Sequence, residues 1–335
     1  VDILNALVAF LNFVFVPSVS YGAQLALGAL GVTLIYGVLR FSNFAHADTM
    51  GFGAMVTILV TWAVQSTGFG FGPLPTALFA LPAGIVATAL LLLVIDRVVY
   101  RFYRQKKVNP TLLVIVSLGV MFVMNGIVRF IIGVEERNFA DGARFIISAA
   151  DFREATGLEE GLAIKTAQGV TLLTAAAAVA ALFWFLQKTR AGKSMRAFSD
   201  NEDLALLSGI SPDRVVAVTW IITAALAATA GVLYGLEKSF KPFTYFQLSL
   251  PIFAAAIVGG FGNPIGAIAG GFVVAFSEVM VTYAWRKVAG YVLPETWMPD
   301  GLMQLLSTDY KFAVSFAILV LVLLFLPTGL FRGKT

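Results

Sequence analysis

The chain has no cysteine, one histidine and only 13% charged residues over a length of 335. The missing cysteines exclude disulfides, thiolate metal sites and cysteine nucleophiles. A lone histidine, His46, with one nearby carboxylate falls short of the three or four protein donors that a zinc-type centre takes. Charge at this level is about half of the ~25% with which a soluble domain clothes its surface. A phosphate-binding GxxxxGK(S/T) loop is absent as well. Gly192-Lys193-Ser194 has Gln187 where the leading glycine should stand, so the chain does not bind ATP through a P-loop. No paired-carboxylate, triad or metalloprotease arrangement occurs, and neither does an arginine-rich voltage sensor or a TVGYG-type filter. These absences argue against an enzyme and give no reason to expect a cofactor or metal.

What the chain has instead is apolar length. Hydrophobic residues make up 59% of it, and the mean hydropathy is +0.87. They come in solid blocks, most of them near the ~20 residues that cross a ~30 Å hydrocarbon core as a helix. A lipid-facing barrel would show alternating ten-residue segments instead. The fold class is therefore all-α, a polytopic transmembrane bundle of about ten spans. They are expected at 3–18, 20–40, 48–65, 76–100, 110–133, 168–187, 215–236, 249–261, 264–284 and 309–328. The first is short and ends at Pro17; it lacks the basic flank and cleavage site of a secretory signal. Five spans per half would make the halves inverted in topology, a common transporter plan.

Charge sets the expected orientation. Arg97, Arg101, Arg104, Lys106 and Lys107 follow the fourth span, with only Asp96 to offset them. Lys188, Arg190, Lys193 and Arg196 follow the sixth, and Arg332 and Lys334 close the chain. Such basic flanks belong in the cytoplasm. The 134–167 loop carries Glu135, Glu136, Asp141, Asp151, Glu154, Glu159 and Glu160 and should face outside. Ten crossings with both termini inside satisfy these signs; if residues 3–18 do not span, the N-terminus moves outside and the rest is unchanged. The net charge of +4 sits in loops and reads as topology, not as nucleic-acid binding.

Four segments could carry function. The run Arg40-Phe41-Ser42-Asn43-Phe44-Ala45-His46-Ala47-Asp48 places Asn43, His46 and Asp48 in a break between spans. Polar groups at membrane depth mark a pathway by default; the plainer reading is a turn in which Asn43 or Ser42 caps the next helix. Residue types leave both readings standing. The second segment holds Gly259, Gly260, Gly262 and Asn263-Pro264. It lacks the last glycine and the βαβ setting of a dinucleotide loop, and close packing through Gly262, Gly266 and Gly270 explains part of its glycine content. The third, 188–214, offers a helix start at Ser199-Asp200-Asn201-Glu202, an apolar stripe of Leu204, Leu207 and Ile210, and a stop at Gly209. A short amphipathic helix between two spans lies on lipid or docks on a partner. The fourth is Glu278, an acid in a long apolar span, where a structural hydrogen bond is favoured over a relay role on residue type alone.

Taken together, these stretches resemble the LivH-like permeases of bacterial branched-chain amino-acid ABC importers. The likeness runs through Ile35-Tyr36-Gly37-Val38-Leu39, Asn43-Phe44-Ala45-His46 and Gly51 to Ala54, then Ala191-Gly192-Lys193-Ser194-Met195-Arg196-Ala197 with Gly209-Ile210. It continues in Gly259-Gly260-Phe261-Gly262, Glu278 and the ending Tyr310-Lys311 to Pro327-Thr328-Gly329. The resemblance implies a single permease domain over 1–335, in the inner membrane of a bacterium. It also implies a second permease subunit, two ATP-binding cassette subunits and a periplasmic solute-binding protein as partners, which gives the missing P-loop a reason. By the same resemblance, Asn43, His46, Asp48, Gly259, Gly260, Gly262 and Glu278 would belong to the translocation pathway. Asp200, Glu202, Leu204, Ala205, Leu207, Gly209 and Ile210 would seat in an ATPase cleft from the 188–214 loop. The solute would be a branched-chain or related small amino acid, moved inward by alternating access. Residues 1–19, Ala47 in place of a glycine, Asp48 in place of a glutamate and the long acidic loop depart from the pattern. They leave urea or short amides open as substrates. The rival from another class is a secondary transporter titrating His46, Asp48 and Glu278.

Overall fold

The computed structural model describes residues 2–294, 301–326 and 328–331. Arg332, Lys334 and Pro327, part of the expected basic ending and closing motif, lie outside the described residues. Among the described residues, nine helical stretches are long and apolar enough to cross a membrane. They are α1 (Asp2–Leu39), α2 (His46–Ser66), α3 (Ala77–Gln105), α4 (Pro110–Ile132), α6 (Thr166–Lys188), α9 (Pro212–Lys238), the pair α10 (Pro242–Gln247) and α11 (Ser249–Gly259), α12 (Pro264–Thr282), and α14 (Lys311–Phe325) with the turn before it. Four further helices lie between spans among the described residues: α5 (Ala149–Thr156), α7 (Arg190–Asp200), α8 (Glu202–Leu207) and α13 (Arg286–Val292). A two-stranded antiparallel ribbon, β1 (Phe145–Ile147) with β2 (Ile164–Lys165), pairs Phe145 with Lys165 and Ile147 with Ile164.

The helix starts follow from local chemistry. Asn109 Oδ1 accepts from the Thr111 amide at 2.9 Å, with Pro110 opening α4. Asn263 Oδ1 takes the Ile265 and Gly266 amides at 3.1 Å, with Pro264 opening α12 as its position in the first turn suggested. The first two expected spans differ from expectation. They form one 38-residue helix, α1, because a π-helical turn at Leu11–Phe15 precedes Pro17 and absorbs the proline that was read as a stop. At 1.5 Å per residue α1 is about 57 Å long, roughly twice the hydrocarbon thickness. Four candidate spans therefore precede the long loop and five follow it, so the five-and-five division does not carry over.

Side-chain contacts sort the ends into two faces. Arg101 reaches Asp213 at 3.2 Å, and Arg40 Nη2 donates to the Ser199 carbonyl at 2.6 Å, which gathers the basic segments at one face. At the other face, Asn5 and Asn12 accept from the amides of Glu160 (3.4 Å) and Ala163 (3.0 Å), and Arg137 pairs its backbone with Phe240. The start of α1 thus sits with the acidic loop, where Phe10 stacks on Trp285 and Phe13 on Tyr283. The core is built around α1 and α9, both buried over most of their length from Ser18 to Ile35 and from Val215 to Leu236. Small residues let neighbours close in: Gly22 and Gly271 bring α12 onto α1, and Ala255, Gly259, Gly266 and Gly270 join α11 to α12 backbone to backbone.

Candidate functional site

The break between α1 and α2 is buried in protein. Arg40 ends α1 in the left-handed conformation (φ 57°), and the chain turns back so that Asn43, His46 and Asp48 are all buried. Asn43 Oδ1 accepts from the Ala45 amide (3.2 Å) and the Tyr100 hydroxyl (3.1 Å). Asn43 thus braces the turn before α2 and links it to α3, while the helix itself starts after Ala45 without a side-chain cap, so the capping reading does not hold in that form. The His46 ring lies on Gly31 of α1, and neither ring nitrogen has a hydrogen-bond partner among the described residues. Asp48 Oδ1 accepts from Asn125 Nδ2 at 2.7 Å, while its Oδ2 has no hydrogen-bond partner among the described residues. Irregular backbone of this kind is tolerated at membrane depth only when protein or a cavity surrounds it.

The glycine-rich segment is a tight turn at the basic face. Gly260 (φ 100°) and Gly262 (φ 80°) adopt angles open to glycine alone at little cost, and Gly259 touches Gly266 through backbone atoms. Helix packing is therefore a sufficient reason for Gly259. Gly262 also lines a cavity of about 350 Å³ with Thr33, Gly37, Arg196, Ser199 and Asn263, set between α1, α7 and this turn.

Glu278 stands apart from both. It is fourteen residues beyond Pro264 along α12, about 21 Å by the helical rise, toward the acidic face. Its Oε1 accepts a hydrogen bond from the Ser315 hydroxyl of α14. The structural hydrogen bond favoured from residue type is present. The seven residues grouped as pathway candidates thus fall into three clusters strung along α1, beside Gly31, Gly37 and Tyr21.

The 188–214 segment folds as two helices. Asn201 is extended (φ −154°) and caps α8 by accepting from the Leu204 amide at 3.0 Å, and Gly209 ends it at φ 77°. Asp200 closes α7, and Glu202 opens α8. The expected stripe is split. Leu204 and Leu207 are 61% and 85% exposed, whereas Ala205 is buried and Ile210 packs against the core. The reason is the six-residue length of α8, after which the Gly209 turn redirects Ile210 inward.

Several residues of these clusters were not singled out by residue pattern. Tyr100, Asn125, Tyr21, Ser315 and Lys311 come from helices remote in sequence. Glu237 takes hydrogen bonds from Ser20 (2.6 Å) and Gln24 (2.8 Å) of α1. Asp96, read only as an offset to its basic neighbours, binds Arg104 at 2.7 Å and accepts from the buried Trp220 indole at 2.9 Å. The signal available for each was a polar residue inside an apolar run.

The comparisons with known proteins agree with this architecture. Residues 15–323 match the family described as branched-chain amino acid transport system / permease component. The chain is 31% identical over 93% of its length, and 92% of the relative's, to the high-affinity branched-chain amino acid transport system permease protein LivH of Escherichia coli. It is 27% identical to the permease protein BraD of Pseudomonas aeruginosa, over 94% of both chains. A probable LivH of Methanocaldococcus jannaschii is 28% identical over 82% of each. No solved structure matches the chain. With nine helices among the described residues long and apolar enough to span, and a family match over nearly its whole length, this multi-pass membrane protein belongs to the family of branched-chain amino-acid transport permeases.

Proposed function

We propose that the chain is the permease half of a bacterial inner-membrane ABC importer, moving branched-chain or related small amino acids inward by alternating access. A second permease subunit, two ATP-binding cassette subunits and a periplasmic solute-binding protein complete the machine. The basic face is then cytoplasmic and the acidic loop periplasmic, in keeping with the positive-inside rule. The names of the relatives favour branched-chain amino acids over urea or short amides.

One observation carries this reading. The helix α8 presents two leucines, Leu204 and Leu207, at the basic face, on a capped turn where they are 61% and 85% exposed among the described residues. Exposed apolar side chains on a helix rimmed by Asn201, Glu202, Asp203 and Ser208 suit a groove in a partner. The element behind them, α7, is bonded to the end of α1 through Arg40 and Ser199, and α1 touches all three polar clusters. Closure of the ATPase pair can shift the permease only if α8 contacts it differently in the two states.

Leu204→Asp with Leu207→Asp is the test, Ile210 being left alone because it packs in the core. Amino-acid uptake by cells should fall to background while the protein stays at wild-type level in the membrane. Uptake equal to wild type would sink the coupling role of α8. Uptake by a chain purified and reconstituted without any ATPase would instead favour a secondary transporter.

A further inference from the structure

Near the acidic face, between α1, α9, α12 and α14, lies a cavity of about 130 Å³ whose walls include Tyr21, Tyr234, Lys238, Glu278, Thr308 and Lys311. Its charged groups are unevenly satisfied. Glu237, next in sequence to the lining residue Lys238, accepts at Oε2 from Ser20 and Gln24 and has Oε1 3.9 Å from the Lys238 ammonium. Glu278, 1% exposed, uses one carboxylate oxygen on Ser315 and has no hydrogen-bond partner for the other among the described residues. The buried Tyr21 hydroxyl lies beside Glu278 and interacts with it electrostatically, but makes no hydrogen bond of normal geometry among the described residues. Lys311 faces the same cavity over the Tyr21 and Phe312 rings, at 5.6 and 4.6 Å, and among the described residues no carboxylate comes within 4 Å of its ammonium.

A lysine and a glutamate that share a cavity without touching leave a gap carrying a positive wall and a negative wall. Each buried charge is costly unless an opposite charge or donors complete it. Only a ligand bearing both signs completes both walls at once. We propose that this cavity is a head-group subsite for a free amino acid. Lys311 binds the α-carboxylate, Glu278 Oε2 receives the α-ammonium, and the Tyr21 hydroxyl donates to the carboxylate or accepts from the ammonium. The volume is below the roughly 300 Å³ at which drug-sized pockets begin, so it holds the head group and leaves the side chain outside it. A neutral solute such as urea would leave both walls unpaired, so the subsite discriminates for zwitterions. Its place near the acidic face is where a solute released by an external binding protein would first meet the bundle. In this respect the subsite rests on the importer reading.

The test is equilibrium binding of radiolabelled L-leucine to the chain purified with the subunits that accompany it from the membrane and without a binding protein. The competitors are L-leucinamide, which lacks the carboxylate, and N-acetyl-L-leucine, which lacks the ammonium. Wild type should prefer leucine over each by about tenfold or more, the worth of one charge-assisted hydrogen bond. Lys311→Met should erase the preference over leucinamide and keep that over N-acetyl-leucine; Glu278→Gln should do the reverse; Lys311→Arg should retain both. Because the readout is a ratio within each variant, a partial loss of folded protein does not imitate it. No preference in wild type, or an unchanged pattern in Lys311→Met, overturns the subsite. Leucine uptake by cells carrying wild-type chain separates the two levels: uptake without the binding preference removes the subsite alone, whereas no amino-acid uptake removes the importer reading.

Discussion

Gly31 and His46 meet where the first buried break folds against α1. A Cβ on Gly31 would lie 2.6 Å from His46 Nε2, well inside van der Waals contact, and the ring is enclosed on all sides. The glycine is required by close approach and not by backbone angle, since it sits in mid-helix. Gly31→Ala should therefore destabilise the chain by about 1–3 kcal/mol, the usual cost of overpacking a core. Combining it with His46→Ala removes the obstructing ring and should recover much of that loss. Thermal unfolding in detergent by a tryptophan signal would read both variants. A Gly31→Ala chain as stable as wild type would show that the ring moves aside freely and that the break is loosely held.

At the scale of elements, the long loop between α4 and α6 is docked and not merely solvated. Asp141, expected as one of several exposed acids, caps the start of α3. Its carboxylate accepts from the Thr76 amide and hydroxyl, both at 2.6 Å, and from Gln65 at 2.9 Å. Partial burial works against the charged form, but the hydrogen bonds from Thr76 and Gln65 outweigh it and hold the carboxyl below its ordinary value. A carboxyl depressed in the folded state stabilises that state above its unfolded pKa, about 3.9, and the contribution is lost as pH falls through the lowered value. Hydrogen exchange at the amides from Thr76 to Ala80, corrected for intrinsic rate, should be steady above about pH 4 in wild type and accelerate as pH falls below it. In Asp141→Asn it should be faster throughout and nearly flat with pH. A flat wild-type profile would remove Asp141 as the anchor. None of this docking was legible in the sequence, because Asp141 and Thr76 are joined only after two spans pack. The spans themselves were legible, since solid apolar runs bounded by Asn-Pro and basic clusters allow few other structures. Glu278 was visible as an acid in such a run, but its partner Ser315 and its neighbour Tyr21 lie on other helices, and no local pattern names them.

For the whole molecule, the count of crossings decides where the chain starts. Reading Pro17 as a stop gave ten spans and an inside N-terminus, whereas the continuous α1 carries residues 2–15 to the acidic face, against α13 and the 160–163 segment. The basic segments keep their side in either arrangement, so charge alone does not separate the two. The absence of cysteine makes the distinction measurable, because a single introduced thiol has no background. Asp2, Glu154 and Lys193 are all exposed. Replacing each singly by cysteine and treating intact spheroplasts with a membrane-impermeant maleimide should label Asp2→Cys and Glu154→Cys, with Lys193→Cys reacting only after permeabilisation. Ten crossings predict that Asp2→Cys behaves like Lys193→Cys. That result would mean that the π-helical turn at Leu11–Phe15 is a true break in the membrane, and that the contacts of Asn5 and Asn12 with the acidic loop do not form there.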